Sequence, residues 1–351
     1  GYNVAIGRDA LKVQNAGANA YNVAIGYQAG LAVSTGTDNT LIGTYTGDAL
    51  TTGTYNVAIG RSALSTEDAF GYNVAVGAFA LLNQDAGDNA FNTAVGYAAG
   101  ENVSTGTNNT LIGGTAGDSL TSGGGNVVIG SGALATEDAT GRVVAIGQNA
   151  LATQNTAANS YNVAIGYNAS TASTTAAENT IVGSFAGDAI DSASNCVLMG
   201  VHAGGALTLG NANVAIGHSA LRSETAYGNN VAIGEQALTT QDAGATAYNV
   251  AVGYSAGLSV STGIRNTILG GLAGDALTTG GNNVAIGYNA LGTEDAGSFN
   301  VAIGDNALRD QDAGDAYNVA VGYAAGKDMT TGNENVLIGG LAGDALTTGS
   351  M

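Results

Sequence analysis

One short string, N-V-A-I-G with close variants, returns along the whole chain, and its spacing limits what the chain can fold into. The glycine that closes each copy falls at 7, 26, 43, 60, 77, 96, 113, 130, 147, 166, 183, 200, 217, 234, 253, 270, 287, 304, 322 and 339. Successive glycines are 17 residues apart, with 19 (once 18) at intervals. Self-similarity at a fixed short period signals a repeat architecture, in which each unit buries its apolar face only against its neighbours. Twenty strands bound nineteen full rungs of four kinds, in the cyclic order 19, 17, 17, 17, giving a 70-residue super-repeat. The third block carries an extra rung, 201–217, and no linker or change of composition interrupts 1–351, which reads as one continuous domain. The array opens at Gly1 inside one repeat and stops at Met351 inside another, so a piece of a longer chain is expected.

Each column of the repeat has a physical reading. The residue four before the glycine is Asn in 18 of 20 copies, as at Asn22, Asn56 and Asn73, with Val143 and Cys196 as the exceptions. Stacked side-chain amides can hydrogen-bond along such a column as an asparagine ladder. The glycine itself is invariant, as at Gly26, Gly60 and Gly77, which calls for positive φ or close backbone approach at a corner. Three residues later comes Ala in 19 of 20 copies, Thr46 being the exception, and a lone methyl there implies a tight interior turn. Tripeptides such as STG, TTG and DAG supply a second corner. The V-A-I alternation predicts a strand of about five residues, while the Gly, Asn and Thr corners leave no uninterrupted helical stretch. The chain contains no proline, as suits a stack in which every rung uses its backbone amides. The predicted fold is therefore all-β: a parallel β-solenoid, or β-roll, of about 19 rungs of 17–19 residues. Stacked about 4.8 Å apart, the rungs would span about 90 Å.

The two residues before each glycine are apolar in every copy: Ala-Ile or Ala-Val in most, Leu-Ile at 41–42 and 111–112, Ile-Val at 181–182, Leu-Met at 198–199. Adjacent strand residues face opposite sides, so both sides need shelter. One lines the rung's interior. The other would leave an apolar stripe that soluble monomers avoid. Packing of three chains around a common axis, burying the Ala/Leu/Ile column, is the economical answer; another oligomer, or a monomer with a thicker interior, stays open.

At this point the residues resemble a known family. The strand N-V-A-I-G, followed after two residues by Ala, is similar to the S/N-V-A-I-G-x-x-A repeats of YadA-like trimeric autotransporter adhesin heads, which form a left-handed parallel β-roll. Similar N-T/V-A-I-G-Y-x-A-L repeats occur in phage tail-fibre-like proteins. The resemblance covers essentially all 351 residues. It implies a non-catalytic, homotrimeric fibre or adhesin segment on a cell or virion surface, attaching to a host cell, matrix or glycan receptor. Two departures limit what carries over. The rungs are longer than those of the adhesin heads, which leaves winding and handedness open, and these residues contain no counterpart of the autotransporter membrane-anchor barrel.

Charge narrows the partners. Against 27 acidic residues stand 8 basic ones, for a net charge of −19, so nucleic-acid backbones and acidic membrane surfaces are repelled and divalent cations are the natural counter-ions. Gly, Asn, Asp or Thr breaks every apolar run well short of a membrane span. A single cysteine, Cys196, excludes an intrachain disulfide framework and a Cys-based zinc site. No Ser-His-Asp set, phosphate loop or paired catalytic carboxylate can be assembled, and a solenoid without insertions lacks an enzyme's concave site.

Three groups of residues remain as candidates. At every long-rung junction an aromatic pair flanks the strand: Tyr21/Tyr27, Phe91/Tyr97, Tyr161/Tyr167, Tyr248/Tyr254 and Tyr317/Tyr323. These are either stacking platforms for sugars, with avidity from repetition, or covers for the longer corner. Neighbouring rungs align Asp68 with Asp85 and Asp295 with Asp312, beside Glu67 and Glu294. Such carboxylates are either a Ca²⁺ site of hard oxygen ligands or a solvated loop edge. His202 and His218 bracket the extra rung near Cys196 and make a weak metal set. Thr35, Thr52, Thr105, Thr262, Thr279, Thr331 and Thr348 invite comparison with ice-binding solenoids, but Ala69 and Ala86 interrupt any flat threonine array.

Overall fold

The computed structural model describes residues 1–17, 19–139, 141–156 and 158–349. It is all-β, a parallel β-solenoid of about 20 turns, with no helix among the described residues. The chain divides into two compact units, Gly1–Glu178 and Asn179–Met351. Ten strands lie in the first, β1 (Val4–Ile6) to β10 (Val163–Ile165), and ten in the second, β11 (Thr180–Val182) to β20 (Val336–Ile338). Within each unit every strand pairs in parallel with those of the preceding and following turns, at identical repeat positions. In the first unit Val23, Ala24 and Ile25 oppose Thr40, Leu41 and Ile42; in the second, Val284, Ala285 and Ile286 oppose Val301, Ala302 and Ile303.

The strands are shorter than predicted, three residues each, because two backbone conformations bracket them. The residue before the ladder position has left-handed φ, +54° at Tyr21 and +58° at Tyr55, and the closing glycine has φ +140° at Gly26 and +134° at Gly60. Only the residues between them stay extended. The glycine requirement is twofold, as the sequence implied: φ is positive, and a Cβ on Gly26 would run into the backbone of Gly43 in the next rung.

A three-residue strand offers one inward side chain, its centre. Ala24, Leu41, Ala58 and Ala75 are all fully buried within the chain's own rungs. This corrects the expectation that a neighbouring chain must bury the Ala/Leu/Ile column. The columns that face outward are the flanking ones, Val23, Thr40 and Val57 on one side and Ile25, Ile42 and Ile59 on the other; they are half-buried or exposed.

The interior fills by size complementarity. Wherever the strand centre is Leu or Ile, the fourth residue after the strand glycine is Gly: Leu41 with Gly47, Leu111 with Gly117, Ile181 with Gly187. A Cβ on Gly47 would lie 3.0 Å from Leu41 Cδ2. Where the centre is Ala, Leu commonly takes the fourth position, as at Leu64 and Leu81, both fully buried. Gly30 serves both neighbours, since its Cβ would lie 2.8 Å from Leu41 Cδ1 and 3.0 Å from Leu11 Cδ2. The predicted tight interior turn is present: Ala29, Ala63 and Ala80 are fully buried. Thr46, the exception, is buried too, with its hydroxyl donating to Gly60 O at 2.5 Å.

The ladder at the fourth residue before the glycine exists; amide bonds amide from Asn39 Nδ2 to Asn22 Oδ1 at 3.2 Å and from Asn335 Nδ2 to Asn318 Oδ1 at 3.1 Å, while most of the wiring runs to backbone. Asn109 Oδ1 accepts from the backbone N–H of Asn126 at 3.0 Å, and Asn109 Nδ2 donates to Gly123 O at 3.0 Å. Asn22, Asn39 and Asn92 repeat both bonds, each to the next rung. Buried amides thus stitch strand to corner, which satisfies groups that would cost about 1–3 kcal/mol each if left unpaired. Cys196 takes the same place, its N–H donating to Asn179 Oδ1 at 2.9 Å and its thiol to Gly210 O at 3.4 Å.

Candidate functional site

Two surface features and one buried column stand out. The first is the outer face of the parallel strands. In each unit it carries two columns of β-branched or apolar side chains, with Ile59, Val95, Ile112 and Met199 among the more exposed. Extended backbone with alternating side chains makes this face flat and continuous from rung to rung.

The second is the aromatic set. Tyr21, Phe91, Tyr161, Tyr248 and Tyr317, which precede the ladder position, are exposed, as are Tyr97, Tyr167, Tyr254 and Tyr323 beyond the strand glycine; Tyr27 is half-buried. Rings find partners along the rung stack. Tyr55, Tyr72 and Phe91 form a run with centroids 5.2 and 5.1 Å apart, Tyr21 stacks on Tyr2 at 5.5 Å, and Tyr317 on Phe299 at 5.0 Å. Tyr27 meets Tyr45, and Tyr97 meets Phe79, edge to face. Arg142 lies over the Tyr161 ring and donates to its hydroxyl at 2.7 Å.

The buried column was not singled out from sequence. The seventh residue after the strand glycine lines the interior: Val33, Leu50, Glu67 and Gln84, then Val103, Leu120, Glu137 and Gln154, all fully buried. Glutamate and glutamine thus occupy core positions otherwise held by aliphatic residues. Gln84 is satisfied, its Nε2 donating to Ser104 O at 2.9 Å and its Oε1 accepting from Asn92 Nδ2 at 2.6 Å, whereas Gln311 Nε2 has no partner. Glu137 is bonded at both oxygens, and the other three glutamates at one. Glu67 Oε1 accepts from Phe70 N at 3.0 Å, Glu224 Oε1 from Tyr227 N at 3.1 Å and Glu294 Oε1 from Gly297 N at 2.6 Å. Their Oε2 atoms are buried without a partner. Burial pushes all three carboxyls up, that of Glu224 to about 7; the backbone hydrogen bonds oppose this and nearby aspartates add to it.

Asp68 and Asp85, exposed on the adjoining corners, come together with Glu67: one carboxylate oxygen from each lies within 4.8 Å of the others. Asp295, Asp312 and Glu294 repeat the arrangement. At the other two junctions a member is replaced, Asn155 standing opposite Asp138 and Thr225 opposite Asp242. Thr225 Oγ1 there donates to Asp242 Oδ1 at 3.0 Å, and Glu137 Oε2 accepts from Thr156 N at 3.2 Å.

His202 stacks on Phe185 at 5.1 Å, and His218 is exposed. Among the described residues, neither histidine nor Cys196 joins a group of three potential metal ligands. Burial raises the Cys196 thiol pKa. Among the described residues, no helix is long and apolar enough to cross a membrane.

The fold makes this chain a parallel β-solenoid repeat protein. No family model matches it, and no curated protein matches it.

Proposed function

We propose that this chain is a non-catalytic structural segment of an extracellular fibre or adhesin, assembled as a homotrimer on a cell or virion surface. It spaces or presents a region that contacts a host cell, matrix or glycan receptor. The observation that carries the reading is the outer strand face, where a Val/Thr column and a mostly Ile/Val column recur within each unit and stay half-buried or exposed. A contiguous apolar stripe of this kind is a protein–protein surface in most soluble proteins. The repeated N-V-A-I-G motif, similar to adhesin-head and tail-fibre repeats, supplies the class of assembly. The 70-residue super-repeat fits an interior in which one block takes a leucine from a strand centre, as at Leu41, and two from the turn after the strand, as at Leu64 and Leu81.

Light scattering of the full chain at micromolar concentration tests the assembly. Three times the mass of one chain is expected, falling to a single mass in Ile112→Lys/Ile146→Lys with the β-sheet circular dichroism retained. A monomeric wild-type chain sinks the trimer.

The exposure of Tyr97 and Tyr323, 61% each, supports a second reading, direct glycan binding. Ring faces already used in aromatic stacks weigh against it. A glycan array in which Tyr97→Ala abolishes a wild-type signal would favour this reading.

A further inference from the structure

We propose that Glu67–Asp68–Asp85 and Glu294–Asp295–Asp312 are two divalent-cation sites of the calcium class, each joining consecutive rungs. The argument starts from Glu67. It is 0% exposed, its Oε2 has no hydrogen-bond partner, and its carboxylate lies within 4.8 Å of two further carboxylates. The charges that act on it are those of Asp85 and Asp68, both of its own sign. Like charges at this spacing disfavour one another's ionised form, and a cation among them relieves that repulsion.

Geometry admits the cation. Oxygens bound to one calcium at ~2.3–2.6 Å stand at most about 5 Å apart, and all three carboxylates meet that limit. The ligand set is all oxygen and partly exposed, with open positions left for water. Backbone bonds hold both corners in place: Asp68 O accepts from Thr51 Oγ1 at 2.7 Å, and Asp85 N–H donates to Ser104 O at 2.9 Å. In the second site, Thr278 Oγ1 donates to Asp295 O at 2.7 Å and Asp312 N–H to Thr330 O at 2.9 Å.

The chain carries its own controls. Where Asn155 replaces the second aspartate, Glu137 Oε2 accepts from Thr156 N and Gln154 Nε2. Where Thr225 replaces the first, its hydroxyl bonds to Asp242. Glu224 Oε2 is unpartnered there too, so among the described residues the two complete sets are set apart by the third carboxylate beside the buried oxygen.

Calcium titration of the full chain by isothermal calorimetry, with terbium luminescence as a second probe, tests the assignment. Two ions per chain are expected, one per complete set. One should remain in Asp85→Asn and none in Asp85→Asn/Asp312→Asn. Asn155 occupies the equivalent corner naturally, so these variants keep the fold, which circular dichroism verifies. Glu67→Gln, matching the buried Gln84 of the next rung, should remove the same ion. Calcium should raise the wild-type thermal midpoint and leave that of the double variant unchanged. Either of two results overturns the proposal: no saturable binding, or uptake that the variants do not alter, which is diffuse counter-ion attraction to an acidic surface. A midpoint that responds to pH alone, with no response to calcium, assigns the sets to protons and overturns it as well.

Discussion

The α-carbon of Gly26 faces the backbone of Gly43 one rung on, so closely that a Cβ would collide with the Gly43 carbonyl. The same contact recurs from Gly43 to Gly60 and from Gly60 to Gly77. Gly26 also has φ +140°, outside the range of other residues. Gly26→Ala is therefore expected to cost about 3 kcal/mol or more. Gly87 is the contrast, with φ +71° and open space around its α-carbon; Gly87→Ala should cost only about 1 kcal/mol. Chemical denaturation of the two variants distinguishes them, and equal losses would mean that rung contact is not what selects glycine.

Asn109 and Asn73 occupy the same ladder column with unequal partners. Each Oδ1 accepts a backbone N–H, from Asn126 and Asn92 respectively. Only Asn109 also donates through Nδ2, to Gly123 O; Asn73 Nδ2 has no partner. Asn109→Ala should lose more stability than Asn73→Ala, by about 1 kcal/mol, the net worth of one buried hydrogen bond. Denaturant midpoints for the pair check it. The reverse order would show that the corner bond contributes nothing.

These contrasts mark what was legible in the sequence. Gly26 and its equivalents could be read because both demands on them, φ and close approach, are backbone demands that one residue type meets. The ladder column was legible, and so were its amide-to-amide bonds at Asn39 and Asn335, but the backbone wiring was not, since Asn109 can bond an amide above or a carbonyl beside with the same composition. The side on which Ala24 lies was misread: with Ala and Ile both apolar, periodicity alone gives no phase, and the phase depends on the left-handed φ at Tyr21. Glu67 was passed over because a glutamate next to Asp68 at a corner resembles a solvated edge. Its column (Val33, Leu50, Glu67, Gln84) carried the signal, since two of the four members are aliphatic and a third, Gln84, is an amide satisfied inside the core.

A positive φ at the residue before the ladder position strains most side chains, and the chain offsets that strain unevenly. Ala212 has φ +56° and Tyr72 has φ +64°. Tyr72 stacks on Tyr55 at 5.2 Å and on Phe91 at 5.1 Å, contacts worth about 0.5–1.5 kcal/mol each beyond their buried area. Relief of left-handed strain is worth about 1 kcal/mol. Ala212→Gly should therefore stabilise, while Tyr72→Gly should destabilise by about 1 kcal/mol or more. Thermal midpoints moving in opposite directions are the expected outcome; a gain in both would mean the ring stack adds no stability.

Glu224 gives the stability a pH dependence with a defined sign. Its carboxyl sits at about 7 in the folded chain against an ordinary 4.5, because burial disfavours the charged form. Between those values the folded state holds a proton that the unfolded state has released. Stability is therefore full below about 4.5, falls as pH rises toward about 7, and levels off above. Glu67 and Glu294 are raised too and act in the same direction, whereas Asp310, lowered by its hydrogen bond to Arg309, acts only in more acid solution. With a chelator present to keep cations out, the thermal midpoint of the full chain should drop across this window. Glu224→Gln, which places in this rung the residue that Gln241 supplies in the next, removes the titrating group and should make the slope shallower. An unchanged slope in that variant would show that the Glu224 carboxyl is solvated and charged throughout.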